Sequence, residues 1–104
     1  MNTFSGRFNL ADSADIRFLL VIQDSGSLTA ASRKLGLSPS AVTQRLQQLE
    51  KKLATRLVDR TARTLRFTEE GQLLCRRGAD LVQQFDALFE HVRHRRGRLT
   101  HVLA

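Results

Sequence analysis

The stretch from Ser27 to Leu53, SLTAASRKLGLSPSAVTQRLQQLEKKL, restricts the fold more than any other part of the chain. Gly36 stands where a first helix must stop, because the residue after a helix end commonly takes a left-handed backbone that glycine adopts most cheaply. Ser38 caps a second helix, and Pro39 fits its first position, where a missing N–H costs nothing. Val42, Leu46, Leu49 and Leu53 then recur at spacings of four, three and four, which is one apolar stripe on a helix. The opposite face carries Ser40, Thr43, Gln44, Gln47 and Lys51, and nothing apolar.

A short helix, a glycine turn and a longer helix with a short-polar outer face form a helix-turn-helix, the arrangement that offers a helix to the DNA major groove. The start of that helix and its outer face, Pro39, Ser40, Thr43, Gln44 and Gln47, are placed against base edges. Gln can read adenine bidentately, and Ser or Thr can read several bases. Ser27, Arg33, Lys34, Ser38, Arg45 and Lys51 are candidates for the phosphate backbone. For Arg33 and Lys34 the competing reading is plain solvation.

Charge agrees with a polyanionic partner. The 104 residues carry a formal +7, with a pI of about 11.3. Fourteen of the 17 cations are Arg, which suits bidentate contact with phosphate and guanine. Residues 1–68 hold eleven cations and five anions, and residues 69–104 hold six and five, so the excess sits in the helix-turn-helix half. Hydrophobic residues make up 41%, enough for one small domain. Cys75 is alone, which excludes an internal disulfide and fits a reducing, cytoplasmic setting. No apolar run approaches the ~20 residues of a membrane span. The start of the chain has no signal-peptide pattern.

In chain order, residues 1–11 show no period and read as a flexible leader. A first helix starts at Asp12 or Ser13 and runs to Asp24, with Ile16, Leu19, Leu20 and Ile22 as its core face. Ser27 caps the short helix, whose Ala30-Ala31 pair admits a close neighbour. The long helix ends near Ala54 or Thr55. Leu57 to Arg60 and Leu65 to Phe67 read as two short strands around a polar loop, a β-hairpin wing with Arg60, Arg63 and Arg66 on or beside it. Such a wing can rest against phosphates or a minor groove. For Arg60 the alternative is a brace for its own hairpin.

Thr68 caps a last helix reaching about Arg96, with Glu69 and Glu70 at its positive end. Leu74, Gly78, Leu81, Phe85, Leu88 and Val92 form a heptad seam, widened by Leu73, Val82 and Phe89. The seam packs either on the domain's own core or on the same helix of a second copy. The second reading is favoured beyond Gln83, where the helix outruns a ~100-residue body of radius ~13 Å. Arg93, Arg95, Arg96 and Arg98 suit the negative end of the helix dipole, and residues 99–104 turn apolar and extended.

No GxGxxG, P-loop, HExxH or GxSxG motif is present, so neither catalysis nor a cofactor has support. His91 and His94 have metal-ligand spacing but no thiol or carboxylate cluster beside them, and no metal site is expected.

Together, Gly26-Ser27-Leu28-Thr29-Ala30-Ala31, Leu35, Leu37-Ser38-Pro39-Ser40-Ala41-Val42-Thr43, Leu49-Glu50, Leu53, Leu57, Arg60 and Leu65-Arg66-Phe67-Thr68-Glu69-Glu70-Gly71 resemble the N-terminal DNA-binding domain of LysR-type transcriptional regulators. The resemblance runs from about Asp15 to the end. It implies a mainly α fold: a winged helix-turn-helix over 12–68, then a linker helix over 69–96 that pairs two subunits, then a hinge beginning at 97–104. It also implies a C-terminal effector-binding domain beyond this sequence, so that a small-molecule effector belongs only to a protein carrying that domain. The chain is then an excised fragment or a natural short form. Ala54 stands where the family has Gly, Val58 and Leu19 where it has Phe, and Pro39 where Gln is commoner. The last change removes one base-reading side chain and moves that work onto Ser40, Thr43, Gln44 and Gln47.

The expected function is sequence-specific binding of double-stranded DNA at an inverted-repeat operator by a homodimer, in transcription regulation. Two rivals come from other classes. One is an interaction module that heterodimerises with a full-length regulator through the linker helix. The other is membrane-surface binding by the basic last helix, which Asp80, Asp86 and Glu90 on its polar face oppose.

Overall fold

The computed structural model describes residues 11–103, with side chains as far as residue 96. Four helices follow in order: α1 (Ser13–Ser25), α2 (Leu28–Leu35), α3 (Pro39–Leu53) and α4 (Glu69–Leu103). The leader expected over 1–11 lies outside the described residues except for Ala11, which packs against the core.

Each helix starts where its sequence provides a cap. Asp12 and Asp15 form a reciprocal capping box on α1: the Asp15 amide donates to Asp12 Oδ1 at 3.1 Å, and the Asp12 amide to Asp15 Oδ2 at 3.2 Å. Ser27 and Ser38 accept from the amides of Ala30 (3.0 Å) and Ala41 (3.1 Å) at the starts of α2 and α3. Gly26 and Gly36 end α1 and α2 with φ of 80° and 68°. At the end of α3 the same left-handed geometry falls on Ala54, with φ 52°. The helix therefore stops at Leu53 without a glycine, at a strain of about 1–2 kcal/mol.

The core is built from all four helices. Phe18, Leu19 and Ile22 of α1, Ala31 of α2, Val42, Leu46 and Leu49 of α3, Leu57 and Val58 of the following segment, and Cys75 of α4 are buried. Leu20 and Ile16, expected as core residues, are half-buried, and Phe18 takes the central place. Burial pushes the Cys75 thiol up to a pKa of about 11.

Two glycines set where α4 crosses the domain. A Cβ on Gly71 would collide with the Leu57 carbonyl oxygen, and one on Gly78 would lie 2.6 Å from Ile16 Cγ2. Arg17 of α1 holds Asp86 of α4 at 2.8 Å, and that hydrogen bond lowers the Asp86 pKa.

The structure corrects three expectations. First, the wing is not a two-stranded hairpin. Only Val58 and Phe67 form a β-bridge, flanked by bonds from the Asp59 amide to Arg66 O (2.8 Å) and from the Thr68 amide to Leu57 O (3.0 Å). The Leu57 amide goes to the Glu50 carboxylate instead of extending the ladder, and the Val58 amide, which faces away from Phe67, goes to the same carboxylate. The loop is closed by Asp59, whose Oδ1 accepts from the Thr61 hydroxyl and amide; these bonds lower its pKa.

Second, Leu74 and Gly78 are taken up by their own domain. Leu74 packs on the core and Gly78 lies against Ile16. The rest of the seam is unpartnered: Leu81, Phe85, Leu88, Phe89 and Val92 are 46–57% exposed, with Phe85 and Phe89 stacked at 5.6 Å. Third, the expected extended hinge is helical. α4 continues past Arg96 to Leu103, for 35 residues or about 52 Å. Only residue 104 of the hinge lies outside the described residues.

Candidate nucleic-acid interface

The outer face of α3 remains free in the folded domain. Pro39, Ser40, Gln44, Gln47 and Lys51 are exposed and Thr43 is half-buried, while Val42, Leu46 and Leu49 on the reverse side are fully covered. The apolar stripe thus fixes the rotation of α3, and that rotation aims the polar residues outward as one row.

The candidate phosphate contacts divide. Ser27 and Ser38 have their hydroxyls engaged as helix caps. Ser27 also lines one cleft with Arg63 and Thr64, so the start of α2 and the tip of the wing loop face each other across a short gap. A helix N-terminus beside a free guanidinium is a natural seat for a phosphate. Arg33 and Lys51 are exposed and make no side-chain hydrogen bond or ion pair among the described residues. Lys34 pairs with Asp24 at 3.0 Å, both well exposed, so the pair opens at little cost when a stronger anion arrives.

Arg45 is directed elsewhere. Its guanidinium lies 4.4 Å over the Phe18 ring and donates to the Ala14 carbonyl at 3.4 Å, which fastens α3 to α1. Arg66 is exposed beside the bridge, with Asp59 close enough to feel its charge.

Arg60 is bound to Glu50, which is only 7% exposed. Glu50 also accepts from the Leu57 amide at 2.8 Å and the Val58 amide at 3.2 Å. One buried carboxylate therefore ties the last turn of α3 to the base of the wing, and the brace reading of Arg60 describes its contacts. This strut was not legible as such in the sequence. Its trace is that Glu50 stands four residues after Leu46 and next to Leu49, at the edge of the buried stripe. Arg56 was also missed. It follows α3, is exposed, and lines a groove with Gln47, Gln48 and Lys51.

A family model described as bacterial regulatory helix-turn-helix protein, LysR family, matches residues 13–72. This chain belongs to the LysR family. It is 40% identical over 78 residues to the HTH-type transcriptional activator TtdR of Escherichia coli (strain K12), a match covering 75% of this chain and 25% of TtdR. To the HTH-type transcriptional regulator CrgA of Neisseria meningitidis (serogroup B, strain MC58) it is 34% identical over 76 residues, covering 73% of this chain and 25% of CrgA. The chain spans about a quarter of the length of these curated relatives. Full-length LysG of Corynebacterium glutamicum, solved with bound effector Arg, superposes with a TM-score of 0.72 at 32% identity, over 82% of this chain and 29% of LysG. The BenM DNA-binding domain, solved in complex with benA site 1 DNA, gives a TM-score of 0.76 at 21% identity, over 81% of this chain and 94% of that one, and shows a shared fold.

The family is one of transcription regulators and not of enzymes. No helix among the described residues is long and apolar enough to cross a membrane. Among the same residues no group of three or more His, Cys, Asp or Glu could hold a metal ion.

Proposed function

We propose that this chain binds double-stranded DNA sequence-specifically as a homodimer and serves transcription regulation in the cytoplasm, with residues 12–68 as the reading domain and α4 as the pairing element. The observation that carries the reading is the exposed polar row of α3, Ser40, Gln44 and Gln47 with half-buried Thr43, set on the helix-turn-helix of a LysR-family member. Relatives named as transcriptional regulators and a similar fold solved on DNA support it.

Ser40, Thr43, Gln44 and Gln47 read base edges in the major groove, and Pro39 touches the groove wall without a donor. Ser27, Arg33, Lys51 and Arg63 contact phosphate, and Lys34 does so after leaving Asp24. Arg60 acts through Glu50 by holding the wing in place. The exposed stripe Leu81, Phe85, Leu88 and Val92 is covered by the same helix of a second copy, which sets two recognition helices on successive major grooves about 34 Å apart. A small-molecule effector enters only where a C-terminal domain is present.

Selection of bound duplexes from a random pool tests this reading. The expected product is an inverted repeat with fixed half-site spacing. Retention without any enriched motif would refute sequence-specific reading.

The second reading, an interaction module that heterodimerises with a full-length regulator, is favoured by the same uncovered stripe. It is distinguished by mixing with such a regulator: heterodimers that form while the chain alone selects no site would support it.

A further inference from the structure

We infer that Arg56, together with Lys51, holds a phosphate of the DNA backbone at the C-terminal end of α3, which lengthens the contacted strand beyond the base-reading row; this rests on the DNA-binding reading above. Gln47, Gln48 and Lys51 of α3 line one groove together with Thr55 and Arg56 of the segment that follows it. Gln47 and Lys51 lie on the same outer face of α3 as Ser40, Thr43 and Gln44, since four residues bring the helix round to nearly the same direction. The groove is therefore a continuation of the reading face and not a separate site.

Its charge is set by one buried anion and two cations. Glu50 is the only carboxylate on it, and its oxygens are committed to the Leu57 and Val58 amides and to Arg60. Arg56 Nη1 forms a long ion pair with Glu50 Oε1 at 4.0 Å, without a hydrogen bond, and its side chain is 69% exposed, so the pair opens at little cost. Lys51 has no ion pair among the described residues. Lys51 and Arg56 against Glu50 leave the groove at +1, and Arg60, outside the groove, offsets the Glu50 charge from behind. The Arg56 guanidinium keeps its donors while its main chain is fixed, because its carbonyl accepts from the Thr68 hydroxyl at 2.7 Å. A positioned backbone carrying a guanidinium with no hydrogen bond to an acceptor, next to an ammonium without an ion pair, is complementary to a doubly contacted phosphate.

The test uses the 104-residue chain and a duplex that it selects. Binding is titrated against salt for wild type, R56Q and R56K, with each backbone phosphate flanking the half-site replaced in turn by a neutral methylphosphonate. R56Q should lower the slope of log K against log salt by about 1.8, about 0.9 for each subunit of the dimer, which amounts to about thirtyfold weaker binding at 0.15 M salt. R56K should keep the slope. At one flanking position the methylphosphonate should weaken wild type and leave R56Q unchanged. An R56Q slope equal to wild type, or a methylphosphonate effect of the same size in both proteins at every position, would overturn the inference while leaving DNA binding intact. Wild type that binds no duplex in a salt-dependent way would overturn the function proposed above and this inference with it. Circular dichroism of R56Q, expected to match wild type, separates lost contact from lost fold.

Discussion

Replacing Glu50 by alanine is expected to be among the most destabilising single changes in the domain. Its carboxylate accepts from the amides of Leu57 and Val58, which are 1% and 5% exposed, and it binds the Arg60 guanidinium. Alanine removes the acceptor and leaves two donors that water cannot readily reach. Each buried unsatisfied amide costs about 1–3 kcal/mol. The lost Arg60 pair adds less, because that side chain is 30% exposed and can turn to solvent. The sum is about 3–5 kcal/mol, in the range for breaking a buried pair. A domain of this size has a total of about 5–15 kcal/mol. Glu50→Gln should cost less, about 1–2 kcal/mol, since the amide oxygen still serves the two backbone donors and only the charge on Arg60 is lost. Urea unfolding by circular dichroism at one fixed chain concentration reads both values, with the m-value unchanged. Equal losses for the two variants would show that the carboxylate acts on Arg60 alone. A loss below about 1 kcal/mol for alanine would refute the strut altogether.

The remaining expectations concern backbone geometry, reading, pairing and pH. Ala54→Gly should raise the urea midpoint by relieving φ 52°, a gain of up to about 1 kcal/mol, whereas Gly71→Ala should cost about 1–3 kcal/mol because its Cβ meets the Leu57 carbonyl; the opposite order would contradict the packing. In competition titrations Gln44→Ala should relax preference at one base position by about 1–3 kcal/mol, while Arg63→Ala should weaken all sequences alike and flatten the salt slope. Equal loss on selected and random DNA for both variants would sink that division. Leu88→Glu, on the uncovered stripe, should convert dimer to monomer in sedimentation with helicity retained, and an unchanged dimer would move the interface elsewhere. The Cys75 thiol is raised to about 11 in the fold against ~8.5 unfolded, so its contribution to stability is full below ~8.5 and is lost as pH rises through about 11. Cys75→Ala should flatten the alkaline limb of a stability–pH curve, and an identical limb would assign it to other groups.

Much of this protein could be read from spacing because it depends on local rules. Gly36, Ser38 and Pro39 mark the turn, and the stripe Val42, Leu46, Leu49 and Leu53 fixes which side of α3 faces out; both are matters of a few residues of backbone and one helical period. The caps at Asp12, Ser27 and Ser38 fall where their side chains place them. The fold class and the outward-facing polar row of α3 followed from these.

What the tertiary structure decided was the fate of side chains whose partners lie far along the chain. Arg45 reads as a surface cation until α1 brings Phe18 beneath it, and Arg17 gains Asp86 across 69 residues of sequence. Heptad spacing makes Leu74 and Gly78 equivalent to Phe85 and Leu88. Only the crossing of α4 against Ile16 assigns the first pair to the core and leaves the second uncovered. The wing shows the same division. Its apolar pattern suggested two strands, but a carboxylate from α3 claims the Leu57 amide that would continue the ladder, and a hydrogen bond to a buried charge outcompetes that rung. Sequence periodicity specifies a face, whereas the partner that meets the face, and the charge it leaves unspent, depend on how the helices cross.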